Sequence, residues 1–177
     1  MSANLVLCGF MGSGKSTVGR LLARELGCAY LDLDDYIQQR AGMSIPQIFE
    51  RFGEAGFRDL EYQAVCSLGD SPQRRVISTG GGTLTFPRNV PPLQKNAIIV
   101  YLDVGFDTCW ERIRNSSRPL VRSNTRETLS ALYQTRDSAY RSASQWVLPN
   151  LGSSQQLARE ILLRLAAQAE NHAEPQE

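Results

Sequence analysis

Gly9-Phe10-Met11-Gly12-Ser13-Gly14-Lys15-Ser16-Thr17 satisfies the pattern G-x-x-x-x-G-K-[ST] directly after a short apolar run and before a helical one. In that context the backbone N–H groups of a glycine-rich turn converge on an anion, and the helix that follows adds the positive end of its dipole. Gly12, Ser13, Gly14, Lys15, Ser16 and Thr17 are therefore candidate ligands of a nucleotide. Lys15 would bridge the outer phosphates as a point charge, and the Ser16 hydroxyl is placed for Mg²⁺. Hydrolases, motors, switches and small-molecule kinases all use such a loop, so it names a ligand and leaves the reaction open.

Carboxylates and guanidinium groups narrow the reaction. Leu31-Asp32-Leu33-Asp34-Asp35 closes an expected second strand, at the end where α/β sheets bind ligands. At i, i+2 in extended chain, Asp32 and Asp34 point to one side. One can hold Mg²⁺ through water while the other meets an incoming hydroxyl. The competing role is a helix cap, for which Asp35 is the better candidate. Arg136 falls on the apolar stripe Leu129, Leu132, Tyr133, Tyr140, and Arg58 shares a face with Glu61, Val65 and Leu68. Inward guanidinium groups require an anion. For Arg58 that anion is either Glu61 at i+3 or a ligand; for Arg136 an external carboxylate or phosphate fits better. Gly80-Gly81-Gly82 follows the third strand, either as a hinge or as a turn whose glycines permit positive φ and close approach to a ligand. Arg112, Arg114, Arg118, Arg122 and Arg126 crowd a stretch free of acidic residues. They form a solvated basic face or a lid that closes over a triphosphate. Asp103, at the end of an apolar strand, resembles the Mg²⁺-directing aspartate of switches and motors, but is read as a strand-end cap.

These groups must be positioned by strands and helices. Leu5–Cys8 reads as a short buried strand, Ala29–Asp32 as a second strand candidate and Arg75–Ser78 as a third; Ala97–Asp103 is the strongest, apolar without alternation, as suits a parallel sheet covered on both faces. Trp146–Leu148 is a weaker fifth, confined to an edge by Pro149. Helical periods separate them, beginning with Val18, Leu21, Leu22 and Leu26. Ser44-Ile-Pro-Gln47 carries a capping-box signature. Residues 153–168 read as a closing helix and 169–177 as a frayed, disordered polar tail. Strands joined by crossover helices predict an α/β doubly wound parallel sheet.

Composition excludes several classes. The 177 residues favour one domain, placed at 1–168. Nineteen basic against eighteen acidic residues lack the excess that a generic nucleic-acid or membrane binder shows. Only two of the basic residues, Lys15 and Lys95, carry an ammonium group. The one histidine, His172, lies near the end, so histidine catalysis and zinc chemistry find no support. Cys8, Cys28, Cys66 and Cys109 are scattered without C-x-x-C spacing, as expected of a reduced cytoplasmic chain. No signal peptide or membrane-length apolar run is expected.

Taken together the motifs resemble the shikimate kinase family over almost the whole chain. The resemblance runs through the loop at 9–17, Asp32-x-Asp34, and Ser44-Ile-x-x-Ile-Phe49-x-x-x-Gly-Glu54-x-x-Phe57-Arg58-x-x-Glu61. It continues through Ser78-Thr-Gly-Gly-Gly82, Val100-Tyr-Leu102, Arg118-Pro-Leu and Arg136-x-x-x-Tyr140. It implies a P-loop kinase fold with sheet order 2-3-1-4-5, a mobile acceptor-binding region at about 33–62 and a lid at about 112–125. It implies transfer of the ATP γ-phosphoryl group to the 3-hydroxyl of shikimate by a monomer. Lys15, Asp34 and Arg118 would be catalytic, with Arg118 also on ATP. Asp34, Arg58, Gly81 and Arg136 would bind shikimate, in a pocket shaped by Phe49, Phe57 and Glu61. Ser16, with Asp32 through water, would place Mg²⁺. The adenine partner is open between Arg112, Arg114 and the loop 150–154. Val121 stands where the family usually has leucine, and 118–136 is slightly short. Two other readings remain: a kinase for another small acceptor such as gluconate, and a non-catalytic kinase-like binding module.

Overall fold

A computed structural model describes residues 4–149 and 152–171. The chain runs β1 (Asn4–Cys8), α1 (Lys15–Glu25), β2 (Ala29–Asp32), α2 (Leu33–Ala41), α3 (Ile45–Gly69), β3 (Arg75–Ser78), α4 (Val90–Gln94), β4 (Ala97–Asp103), α5 (Phe106–Ile113), α6 (Pro119–Arg122), α7 (Arg126–Ala143), β5 (Trp146–Pro149) and α8 (Ser154–Asn171). The five strands form one parallel sheet in the order β2-β3-β1-β4-β5. Central β1 is buried along its whole length and pairs Val6 with Ile77 on one side and Ile99 on the other. With crossover helices covering both faces, neither side of such a strand meets water, which is why its sequence does not alternate.

Local chemistry sets the element ends. Ser44 caps α3 through a reciprocal pair with Gln47, and Pro46 occupies the first turn. Gly53, at φ 66°, interrupts α3 in the left-handed region. β5 takes the edge position that Pro149 requires. α1 buries Val18 and Leu22, while Leu21 and Leu26 are packed against the core from partly exposed positions.

Three expectations need correction. Helix α8 continues to Asn171, so the polar tail is helical through that residue; 172–177, with His172, lie outside the described residues. Asp32 and Asp34 do not share an extended segment: the strand ends at Asp32, and Asp34 sits in the first turn of α2. The cap is Asp32, not Asp34 or Asp35. Its Oδ1 accepts the Asp34 N–H at 3.1 Å, satisfying one of the amides a helix start leaves unpaired. None of the described helices is long and apolar enough to cross a membrane.

Candidate active site

A parallel sheet delivers the ends of β1, β2 and β3 to one edge, and a cleft of about 570 Å³ opens there. The turn after β1 forms one wall. Gly12 and Gly14 adopt φ of 82° and 95°, conformations that L-residues rarely hold. Gly12, Gly14, Lys15, Ser16 and Thr17 border the cleft. Ser13 is placed differently: its side chain is buried and its N–H is held by the Phe10 carbonyl at 3.1 Å. Lys15 Nζ donates to the carbonyls of Gly9 and Phe10 at 2.8 and 3.0 Å. Burial pulls its pKa down to about 8, so an anion that displaces those carbonyls would favour the ammonium form.

Asp32 and Asp34 border the cleft opposite the turn. Asp32 accepts from the Asp34 N–H and, at 3.4 Å, from the Tyr30 hydroxyl. Burial, with the nearby Asp32 and Glu61 carboxylates, raises the Asp34 pKa to about 6. That suits a group required to accept a proton near neutrality. Ser16 and Asp32 together offer a hydroxyl and a carboxylate to the same space, a hard-oxygen donor set that fits Mg²⁺ with phosphates and water completing its shell.

Gly80 and Gly81 form part of the same wall, but not for the expected conformational reason. None of Gly80, Gly81 and Gly82 has positive φ. What they provide is space. Arg136 Nη1 would lie 2.9 Å from a Cβ on Gly81, and Arg58 Nη2 2.9 Å from one on Gly82. The two guanidinium groups do not border the cleft itself; they stand against this segment. Arg58 is held by Glu61 at 2.9 Å and Glu54 at 3.5 Å, and lies 4.4 Å from the Phe86 ring centre. The helical pair with Glu61 therefore forms. It still leaves the Arg58 Nε buried with no partner among the described residues. Glu61, 1 % exposed, also accepts from Thr83 Oγ1 at 2.7 Å and Asn89 Nδ2 at 3.4 Å. Three donors converging on one buried carboxylate make this a built support. Among the described residues no carboxylate pairs with Arg136; its neighbour Asp137 is taken by Arg141 and Tyr101. Phe49 stacks on Phe57 with ring centres 4.8 Å apart.

The arginine-rich stretch divides in two. Arg114 pairs with Glu111 and Arg126 with Asp107, whereas Arg112 and Arg118 border the cleft. Arg112 also donates to the Gly12 carbonyl at 3.0 Å. Gly152, in the loop before α8, and Ser154, at its first turn, reach the cleft; Asn150 and Leu151 lie outside the described residues. Asp103, as read from the sequence, is structural: it accepts from Tyr133 and pairs with Arg141. The thiols of Cys8 and Cys109 are buried and pushed up to about 12 and 11, which leaves them unreactive.

Sequence reasoning missed Thr79, Tyr140 and Asn89. Thr79 borders the cleft and extends the ladder by donating its N–H to the Leu7 carbonyl at 3.0 Å. It stands inside the Ser78–Gly82 motif, whose glycines drew all the weight. Tyr140 donates to the Gly81 carbonyl at 2.5 Å. Its place four residues after Arg136 was a usable signal. Asn89 carried none.

Comparison with known proteins finds close similarity along most of the chain. The family model described as shikimate kinase matches residues 11–166. A shikimate kinase of Geobacter sulfurreducens is 49% identical over 142 residues, 79% of this chain and 78% of that protein. The structure of a shikimate kinase from Acinetobacter baumannii in complex with shikimate superposes with a TM-score of 0.84 at 37% identity, covering 94% of each chain. A gluconokinase from Sinorhizobium meliloti, at 19% identity and a TM-score of 0.60 over 96% of this chain and 95% of that one, shares the fold alone. A glycine-rich turn, a pair of aspartates bordering the cleft and two arginines set against a glycine triplet thus occur together in a chain that belongs to the shikimate kinase family.

Proposed function

We infer that this chain transfers the γ-phosphoryl group of ATP to the 3-hydroxyl of shikimate, giving shikimate 3-phosphate and ADP. The observation that carries this reading is the convergence of Asp34, Arg136 and Arg58 on three successive glycines beside a phosphate-binding turn. A small hydroxylated carboxylate is what such a set accommodates. Its carboxylate replaces the anion that the Arg136 guanidinium otherwise lacks and reaches the unpartnered edge of Arg58. Its hydroxyls lie toward Asp34 and the Gly81 amide.

Phosphoryl transfer asks mainly for alignment and charge neutralisation. Lys15 and Arg118 supply positive charge from opposite walls, and the amides of the turn after β1 hold the β-phosphate side. Asp34 orients the acceptor hydroxyl and takes its proton as the bond to phosphorus forms. Ser16, and Asp32 through water, would hold Mg²⁺, which when bound neutralises charge on the triphosphate. Arg112 and the Gly152–Ser154 segment are placed to flank the base. Every group named belongs to one chain, so the reading takes the working unit to be a monomer, acting in the cytoplasm where ATP is available.

The test is ADP release across shikimate, gluconate and nucleoside monophosphates. Turnover with shikimate alone is expected. Turnover only with gluconate overturns the acceptor assignment, and turnover with none overturns the enzyme.

A further inference from the structure

Gly80, Gly81 and Gly82 each abut a different side chain of the acceptor site. A Cβ on Gly80 would lie 2.9 Å from Asp34 Oδ1, one on Gly81 2.9 Å from Arg136 Nη1, and one on Gly82 2.9 Å from Arg58 Nη2. All three backbones lie outside the left-handed region, so alanine would cost them no conformational strain. Their carbonyls are strapped. Gly80 accepts from Thr83 N–H at 3.2 Å, Gly81 from the Tyr140 hydroxyl at 2.5 Å, and Gly82 from Thr85 N–H and Oγ1 at 3.1 and 2.7 Å. The Thr83 and Thr85 bonds stiffen the turn itself, and the Tyr140 bond anchors it to α7, so the segment resists retreat from an added methyl group. The facing side chain must yield instead, moving until ordinary contact is restored at 3.4 Å or beyond.

We propose that the triplet is a three-position template: by lacking side chains, Gly80 positions Asp34, Gly81 positions Arg136 and Gly82 positions Arg58. The proposal rests on the acceptor-site roles assigned above. It adds that three adjacent residues control separate parts of the reaction. The three partners differ in stiffness. Among the described residues Arg136 has no carboxylate to hold it, so it gives way most easily. Arg58, pinned by Glu61 and the Phe86 ring, gives way least, so Gly82→Ala disturbs folding most.

The experiment makes each alanine variant alone and in a background lacking its partner, reading kcat and the shikimate and ATP KM values with thermal melting alongside. Gly80→Ala is expected to lower kcat about 100-fold with shikimate KM changed less than about threefold, the scale set by small misplacements of a reacting group. Gly81→Ala is expected to raise shikimate KM about tenfold, with kcat and ATP KM within about threefold. In an Arg136→Ala background the same Gly81→Ala change should add less than about twofold, because its target is gone. Gly80→Ala should likewise add little to Asp34→Ala. Multiplying effects in the double variants, or one common loss of kcat and KM from all three alanines, overturns the template. An Arg136→Ala variant with unchanged shikimate KM removes the site reading beneath it and overturns both. Should Gly82→Ala not fold, the other two pairs decide the matter.

Discussion

Two glycine segments border the same cleft, and they use the same residue for unlike reasons. In the turn after β1, Gly12 and Gly14 hold positive φ; glycine there is required by the shape of the backbone itself. After β3, Gly80, Gly81 and Gly82 have ordinary backbones, and glycine there leaves room for a carboxylate and two guanidinium groups. The charges differ in the same sense. On the nucleotide side Lys15 rests on carbonyls of its own loop, which a ligand can displace. On the acceptor side Arg58 is built into a buried cluster with Glu61, Thr83 and Asn89. A binding site can thus be made by shaping backbone or by vacating volume, and only the second is tolerant of alanine in the backbone sense.

The largest expected effect tests the nucleotide side. Lys15→Ala should lower kcat by about 10³-fold, the scale for removing a preorganised charge from the transferring group, with shikimate KM unchanged in a coupled ADP-release assay. Next comes Arg136→Ala, which should weaken shikimate binding by about 2–5 kcal/mol while leaving ATP affinity intact by calorimetry. Equal loss for both ligands would make Arg136 structural and blur the division between the sides.

Stability separates the two glycine types. Gly12→Ala forces alanine to φ 82° and sets its Cβ 2.8 Å from the Cys109 carbonyl oxygen, so it should destabilise the fold by about 1–3 kcal/mol. Gly81→Ala should leave the melting temperature nearly unchanged. If both variants melt alike, the contrast between shape and volume fails.

The smallest effect concerns Asp34. Its pKa is raised to about 6 by burial and by neighbouring carboxylates, above the ordinary value of 3.8. The folded protein therefore binds this proton more tightly than the unfolded chain. The associated stabilisation is complete below pH 3.8 and is lost as pH rises through 6. Asp34→Asn should accordingly stabilise the ligand-free protein by about 1–2 kcal/mol at pH 8, with no gain near pH 3.5, while abolishing most turnover. A lowered melting temperature at pH 8 would assign Asp34 a structural role. In the wild type, kcat/KM for shikimate should fall as pH drops below about 6, as the acceptor's base is protonated.

Much of this was legible beforehand. The strand at Ala97–Asp103 coincides with a long apolar run, because a strand covered on both faces leaves few polar positions to confuse the period; Arg75–Ser78 has only two apolar residues, and Ala29–Asp32 lies half-exposed at the sheet edge, yet both keep the expected bounds. The inward placement of Arg58 and Arg136 followed from helical spacing. The errors have physical causes. Asp32 and Asp34 were given an extended geometry because residue type does not mark the step at which a strand becomes a helix, and that step came between them. The glycine triplet was credited with positive φ because glycine permits it; whether the backbone uses that freedom depends on what stands beside it. Arg58 offered two anions, and spacing could not exclude that it takes Glu61 and still presents an edge.

Residue order alone determined the glycine-rich turn after β1, the alternation of strand and helix, and the sheet's parallel character, since these depend on patterns within about twenty consecutive residues. Tertiary structure decided which groups meet. Tyr140 reaches Gly81 across 59 positions and Thr83 reaches Glu61 across 22. Such partners are set by where three separate backbones pass one another, and a difference of half an ångström in those paths separates a glycine that is required from one that is merely allowed.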